Sequence, residues 1–122
     1  MMHYIGIDII EIARIQRIIG RWGERFFRRV YTKAELRLCR KRPWRLAARF
    51  TGKEAVMKAL GTGAKGISWR EIEILAEPSG KPVVQLHGKA QNKAHDLGLA
   101  KLAISLSDSK EYAIAFVIGE TE

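Results

Sequence analysis

Residues 44–60 form the longest uninterrupted helical pattern in the chain, and both of its ends are marked. Pro43 breaks the chain just before the pattern, and Gly61-Thr62-Gly63 follows Leu60. The spacing predicts a helix over 44–60 with Gly61 as its C-terminal cap. Gly52, in its interior, costs about 1 kcal/mol relative to Ala, so something is expected to approach closely there. Residues four apart share a helix face, which puts Phe50, Glu54 and Lys58 in one row. As a solvated i,i+4 pair, Glu54 and Lys58 would contribute only about 0.2–0.5 kcal/mol. A carboxylate and an ammonium in one row can also hold a divalent cation and a phosphate together. Taken alone, the row favours the solvated pair; a second carboxylate, Asp8, shifts the balance.

Residues 3–9, His-Tyr-Ile-Gly-Ile-Asp-Ile, have the β-branched, apolar character of a strand. A carboxylate in such a run is costly to bury without a partner, so Asp8 either meets solvent at a strand end or binds something cationic. From Glu11 the period changes to helical. Ile12, Ile15, Ile18 and Ile19 fall on one face and Arg14, Arg17 and Arg21 on another, and Gly20 and Gly23 end or break the helix. Phe26 and Phe27, among Arg25, Arg28 and Arg29, read as a short helical turn. Thr32 and Glu35 have capping-box spacing, which predicts a helix from 33 to about 40.

The second half is β-rich. Residues 71–75 alternate as a half-buried strand, residues 77–82 carry turn chemistry, and residues 83–87 return as a hairpin. Residues 88–97 read as a short polar helix ended by Gly98, and residues 101–108 and 112–118 as a second hairpin. The resulting order, β-α-α-α-β-β-α-β-β, predicts an α+β domain with helices over an antiparallel sheet. No repeat, low-complexity tract or linker interrupts residues 1–122, which read as one domain.

The formal net charge of +9 is concentrated. Residues 14–49 carry 13 Lys/Arg against Glu24 and Glu35, a local +11, while the remainder carries −2. A patch of that kind attracts nucleic acid, anionic membrane or an acidic protein. No apolar run approaches the ~18 residues of a membrane span, and the N-terminus lacks signal-peptide character. Cys39 is the only cysteine, which excludes an intrachain disulfide and a cysteine metal cluster. It reads as a semi-buried thiol in a reducing cytoplasm.

The chemistry narrows by exclusion. His3, His87 and His95 have no zinc-ligand spacing. Ser105 and Ser107 on a strand read as structural rather than nucleophilic. Residues 61–66 match G-x-G-x-x-G literally, but they close a helix instead of opening one, and a helix C-terminus is the wrong dipole end for phosphate. Two carboxylates with lysines suit Mg²⁺, which takes one or two carboxylates and completes its shell with substrate phosphates.

Gly6-Ile7-Asp8-Ile9 with Arg14-Ile15, then Arg49-Phe50-x-x-Lys53-Glu54-Ala55-x-x-Lys58-Ala59-Leu60-Gly61-Thr62-Gly63, closely resembles the holo-acyl-carrier-protein synthases, small bacterial-type 4′-phosphopantetheinyl transferases. Ile67-Ser68-Trp69, Glu71-Ile72-Glu73-Ile74, Gly80-Lys81-Pro82, Ile104-Ser105-Leu106-Ser107-Asp108 and Tyr112-Ala113 extend the resemblance, in order, over nearly the whole chain. It implies a 4′-phosphopantetheinyl transferase-like fold and a cytoplasmic homotrimer with active sites between subunits. Coenzyme A and apo-acyl carrier protein would be the substrates, 3′,5′-ADP the leaving product, and fatty acid synthesis the setting. By the same resemblance Asp8 and Glu54 ligate Mg²⁺ with the coenzyme A pyrophosphate, and Lys58 binds phosphate as the carrier serine attacks. A metal-bound water or one of the carboxylates takes the serine proton. Gly61, Thr62 and Gly63 line the pantetheine–pyrophosphate path, and Arg49, Pro82 and Asp108 border the nucleotide end. The acidic carrier is the natural partner of Arg14, Arg21, Arg25 and Arg29, with Phe26 as an apolar anchor.

Two positions depart from the family pattern. Several relatives carry His in place of Asp108, and Thr51-Gly52 replaces a pair of small residues, with no consequence expected. The rival reading is a basic nucleic-acid-binding module over residues 14–49, with Trp22, Phe26, Phe27 and Trp44 as stacking faces. It gives Asp8 and Glu54 no role. A catalytically dead carrier-binding protein is a third reading, opposed by the intact Asp8, Glu54 and Lys58.

Overall fold

The computed structural model describes residues 2–61 and 65–121. Strand β1 (His3–Glu11) leads directly into α1 (Ile12–Trp22), followed by α2 (Glu24–Val30), α3 (Lys33–Cys39) and the long α4 (Pro43–Leu60). A 3₁₀ turn (Trp69–Glu71) opens the hairpin β2 (Ile72–Ala76) and β3 (Pro82–Leu86); α5 (Gly88–Asp96), β4 (Leu99–Asp108) and β5 (Tyr112–Thr121) complete the described chain. The expected α+β class and antiparallel pairing are present, with two adjustments. Four helices, not three, separate the first two strands, because the segment around Phe26 and Phe27 is a helix rather than a turn. The strands form two sheets, β1-β5-β4 and β2-β3.

Local signals explain most boundaries. Thr32 and Glu35 make the reciprocal capping box that starts α3. Gly23, at φ 51°, ends α1, whereas Gly20 is tolerated on the exposed side within it. Pro43 occupies the first turn of α4, where its missing N–H costs nothing, and Gly61 caps the other end in the left-handed conformation.

Helix α4 is the axis of the molecule. Its N-terminal half, through Leu46, Ala47, Ala48 and Phe50, joins the core under α1–α3. Its C-terminal half, through Ala55, Val56, Met57, Ala59 and Leu60, joins the core under both sheets. The close approach expected at Gly52 is real: a Cβ there would sit 2.6 Å from Ile74 Cδ1 and 3.3 Å from Leu106 Cδ2.

A buried ion pair locks α4 to its neighbours. Lys53 Nζ donates to Glu35 Oε1 (2.8 Å), the Trp69 carbonyl (3.1 Å) and the Ile72 carbonyl (2.5 Å). The Ile74 amide donates to Glu35 Oε2 at 2.8 Å, and both side chains are wholly buried. Burial pulls the Lys53 pKa down while Glu35 opposes that shift. Three donors matched by three acceptors keep the ammonium compensated. Cys39, expected to be half-buried, is fully buried in the same region.

Candidate active site

The site begins with the packing of β1 on α4. Gly6, Asp8 and Ile10 alternate onto the face of the sheet that meets the helix. Gly6 lies so close that a Cβ on it would fall 1.8 Å from the Ala55 carbonyl oxygen and 2.9 Å from the Ala59 nitrogen. Backbone therefore rests on backbone. Two residues along, this contact carries Asp8 against the helical turn holding Thr51 and Glu54.

Asp8 is not at a strand end in solvent. It lies mid-strand opposite Ala115, and its side chain is only 14% exposed. The Thr51 hydroxyl donates to Asp8 Oδ2 at 2.5 Å. Lys58 Nζ donates to Asp8 Oδ1 and to the Ile7 carbonyl, each at 3.1 Å. Glu54 is half-buried beside them. Burial, then the charge of Asp8, holds its carboxyl above the ordinary range, while Arg14 and Lys58 pull it down.

The structure thus brings Asp8, from a strand far away in sequence, against Glu54 and Lys58 of α4, and places Arg14 of α1 close enough to act on Glu54. Thr51, expected to be inert, is part of the cluster. Its signal was its spacing, since residues 51, 54 and 58 share one helix face. Among the described residues no cluster of three or more His, Cys, Asp or Glu side chains is suited to a metal. Two oxygen-bearing carboxylates that repel one another do fit a hard cation that draws its remaining ligands from phosphate and water.

The other expected site residues are dispersed. Gly61 caps α4 one turn beyond Lys58, and Thr62 and Gly63 lie outside the described residues. Arg49 Nε donates to the Ile74 carbonyl on β2 at 3.5 Å, and Pro82 opens β3 opposite Ala76. Asp108 is exposed at the end of β4 beside Pro43, Trp44 and Lys110. It stands two strands and two residues from Asp8, or about 12 Å by sheet geometry.

The basic helices frame an apolar cleft of about 490 Å³ lined by Ile18, Trp22, Phe26, Phe50 and Trp69, with Arg25 and Arg29. Phe50 and Trp69 stack at 4.8 Å within it. Phe26 is 9% exposed, so it forms part of the cleft wall rather than a projecting anchor.

The model of the 4′-phosphopantetheinyl transferase superfamily matches residues 4–117. The chain belongs to this superfamily. Its relatives include the holo-[acyl-carrier-protein] synthase of Herpetosiphon aurantiacus, 50% identical over 93% of this chain and 95% of that protein. The enzyme of that name from Dehalococcoides mccartyi strain CBDB1 is 52% identical over 98% and 99%. Among solved structures, the Helicobacter pylori holo-[acyl-carrier-protein] synthase in complex with coenzyme A superposes with a TM-score of 0.87 at 33% identity, over 95% of this chain and 99% of that one. The Neisseria meningitidis synthase superposes at 0.88 with 36% identity, over 98% and 100%.

Proposed function

We propose that this chain, acting as one transferase domain, moves the 4′-phosphopantetheine arm of coenzyme A onto a serine of an apo-acyl carrier protein and releases 3′,5′-ADP. The observation that carries this reading is the cluster of Asp8, Glu54 and Lys58 within a chain of this superfamily. The serine Oγ forms a bond to the β-phosphorus as the bond from that phosphorus to the 3′,5′-ADP oxygen breaks. Asp8 and Glu54 would hold Mg²⁺, which when bound neutralises pyrophosphate charge and orients the phosphoryl group. Lys58 is 55% exposed, so its ammonium can leave Asp8 for the phosphate and stabilise charge that builds in the transition state. Arg14, close to Glu54, ties the basic helix to the reacting end.

The carrier surface follows from charge and shape. Exposed Arg14, Arg21, Arg25 and Arg29 complement an acidic partner and speed its encounter, and the cleft walled by Phe26 and Phe50 accepts an apolar side chain. A nucleic-acid module would need Phe26 and Phe27 as open stacking faces, but both are in the core. Only Trp22 and Trp44 are exposed among those four aromatics, and Arg21 and Arg42 lie over their rings at 5.3 and 5.8 Å.

A homotrimer with shared sites accounts for two further features. The sheet face turned away from α4 exposes Ile5, Ile7 and Ile9 on β1 beside Ile114 and Phe116 on β5, a contiguous apolar surface suited to a subunit interface. The distance of Asp108 from Asp8 within one chain suits an aspartate that serves a neighbour's nucleotide end, with Arg49 and Pro82 bordering it. Among the described residues no helix is long and apolar enough to cross a membrane. We place the enzyme in the cytoplasm, in fatty acid synthesis.

Chromatography of the nucleotide product tests the reaction. 3′,5′-ADP is expected from coenzyme A only when both apo-carrier and Mg²⁺ are present. Equal release without carrier would replace the transferase with a hydrolase.

A further inference from the structure

We propose that Thr51 is a positioning residue for the cation site, fixing one oxygen of Asp8 so that the other faces the cation. This inference rests on the reading of Asp8 and Glu54 as metal ligands.

Thr51 is wholly buried in the middle of α4. A threonine inside a helix ordinarily turns its hydroxyl back to the carbonyl four residues earlier. Here the hydroxyl crosses to β1 and donates to Asp8 Oδ2 at 2.5 Å. The crossing is short because Gly6, two residues before Asp8 on the same face, places β1 against the backbone of Ala55 and Ala59. Thr51 and Ala55 are one turn apart, so a single strand–helix contact sets both spacings.

The consequence is geometric. A β-branched side chain on a helix has few χ1 choices, and its backbone is fixed by the helix. With Oδ2 tied to this rigid post, the Asp8 carboxylate cannot rotate freely, and Oδ1 is left on the side of Lys58 at 3.1 Å. Residues 51, 54 and 58 share one helix face, so Oδ1, which accepts from Lys58, lies over the face of α4 that carries Glu54. Mg²⁺ demands near-ideal octahedral geometry, and a carboxylate oriented beforehand meets that demand without reorganising. Partners that orient a ligand typically change metal affinity by about 10–100-fold when removed. If Thr51 served only to fill the core, its removal would alter stability and leave metal affinity unchanged.

Mn²⁺ titration followed by the electron paramagnetic resonance of the free ion, at saturating coenzyme A and without carrier protein, separates these roles. Thr51→Val keeps the shape and removes the donor; we expect Mn²⁺ affinity to fall by about 10-fold or more. Thr51→Ala is expected to give the same loss by a different steric route, and Thr51→Ser, which restores the hydroxyl, to recover wild-type affinity. Coenzyme A binding without metal should be unchanged in all three. Wild-type Mn²⁺ affinity in Thr51→Val and Thr51→Ala, alongside lost binding in Asp8→Ala and Glu54→Ala, would overturn the inference and leave the metal site intact. Undiminished binding in Asp8→Ala and Glu54→Ala would instead overturn the metal site itself, and this inference with it.

Discussion

Gly6→Ala is the smallest change that should take the site apart. The added Cβ would sit 1.8 Å from the Ala55 carbonyl oxygen and 2.8 Å from the Ala55 carbonyl carbon. These are helix backbone atoms and cannot swing aside. Reaching an ordinary contact of 3.4 Å along that line means moving β1 off α4 by about 1.6 Å. Gaps of 0.5–1 Å already forfeit roughly a quarter to a half of a dispersion contact. The insertion strain typical of a filled core adds about 1–3 kcal/mol. The Thr51–Asp8 bond stretches with the same motion, and a hydrogen bond to a charged group contributes about 1.5–3 kcal/mol. We therefore expect a loss of at least ~3 kcal/mol in urea unfolding at fixed protein concentration, and carrier modification that is lost even at temperatures where the variant stays folded. Gly6→Ala with stability within about 0.5 kcal/mol of wild type and undiminished transfer would refute the backbone-on-backbone account.

Three further predictions test other parts of the account. Lys53→Met leaves Glu35 buried without its cation and should cost about 3–5 kcal/mol in chemical unfolding, with Glu35→Gln in the same background recovering part of it; a neutral Lys53→Met would show that the pair does not hold α4. Burial, partly offset by Arg49, pushes the Cys39 thiol from 9.0 up to about 11, so its contribution is complete below pH 9 and is lost as pH rises through 11; alkaline unfolding should show a slope that Cys39→Ala reduces, and an unchanged slope would contradict it. Ile7→Glu puts a charge in the centre of the exposed sheet face, and sedimentation should find monomers with no transferase activity; a trimer, or an active monomer, would remove the shared-site proposal.

The sequence was most informative where one local rule governed one element. The change from the β-branched, apolar run of 3–9 to helical spacing from Glu11 marked the β1–α1 junction to within a residue, and Thr32 with Glu35 marked the start of α3. Family resemblance singled out Asp8, Glu54 and Lys58, and the fold brings them together. Features with two causes were hidden. Glu35 already had a reason to exist as a capping residue, so nothing local hinted that it also neutralises Lys53, 18 residues away. The seven residues of α2 carry four charges around two aromatics, too short and mixed a pattern to separate from a turn. Thr51 looked harmless because its partner lies on a strand 43 residues distant. Asp108 was named by family resemblance alone, and no local rule points to it, since it stands away from Asp8 within one chain and its proposed role needs a neighbouring subunit.

The most direct measurement is the intact mass of an apo-acyl carrier protein incubated with this protein, coenzyme A and Mg²⁺, beside samples with EDTA, Asp8→Ala or Glu54→Ala. The account predicts a gain of one phosphopantetheine that EDTA and both variants suppress. An unchanged carrier mass across several apo-carriers would contradict the transferase, and a gain indifferent to EDTA and to both variants would contradict its proposed metal site.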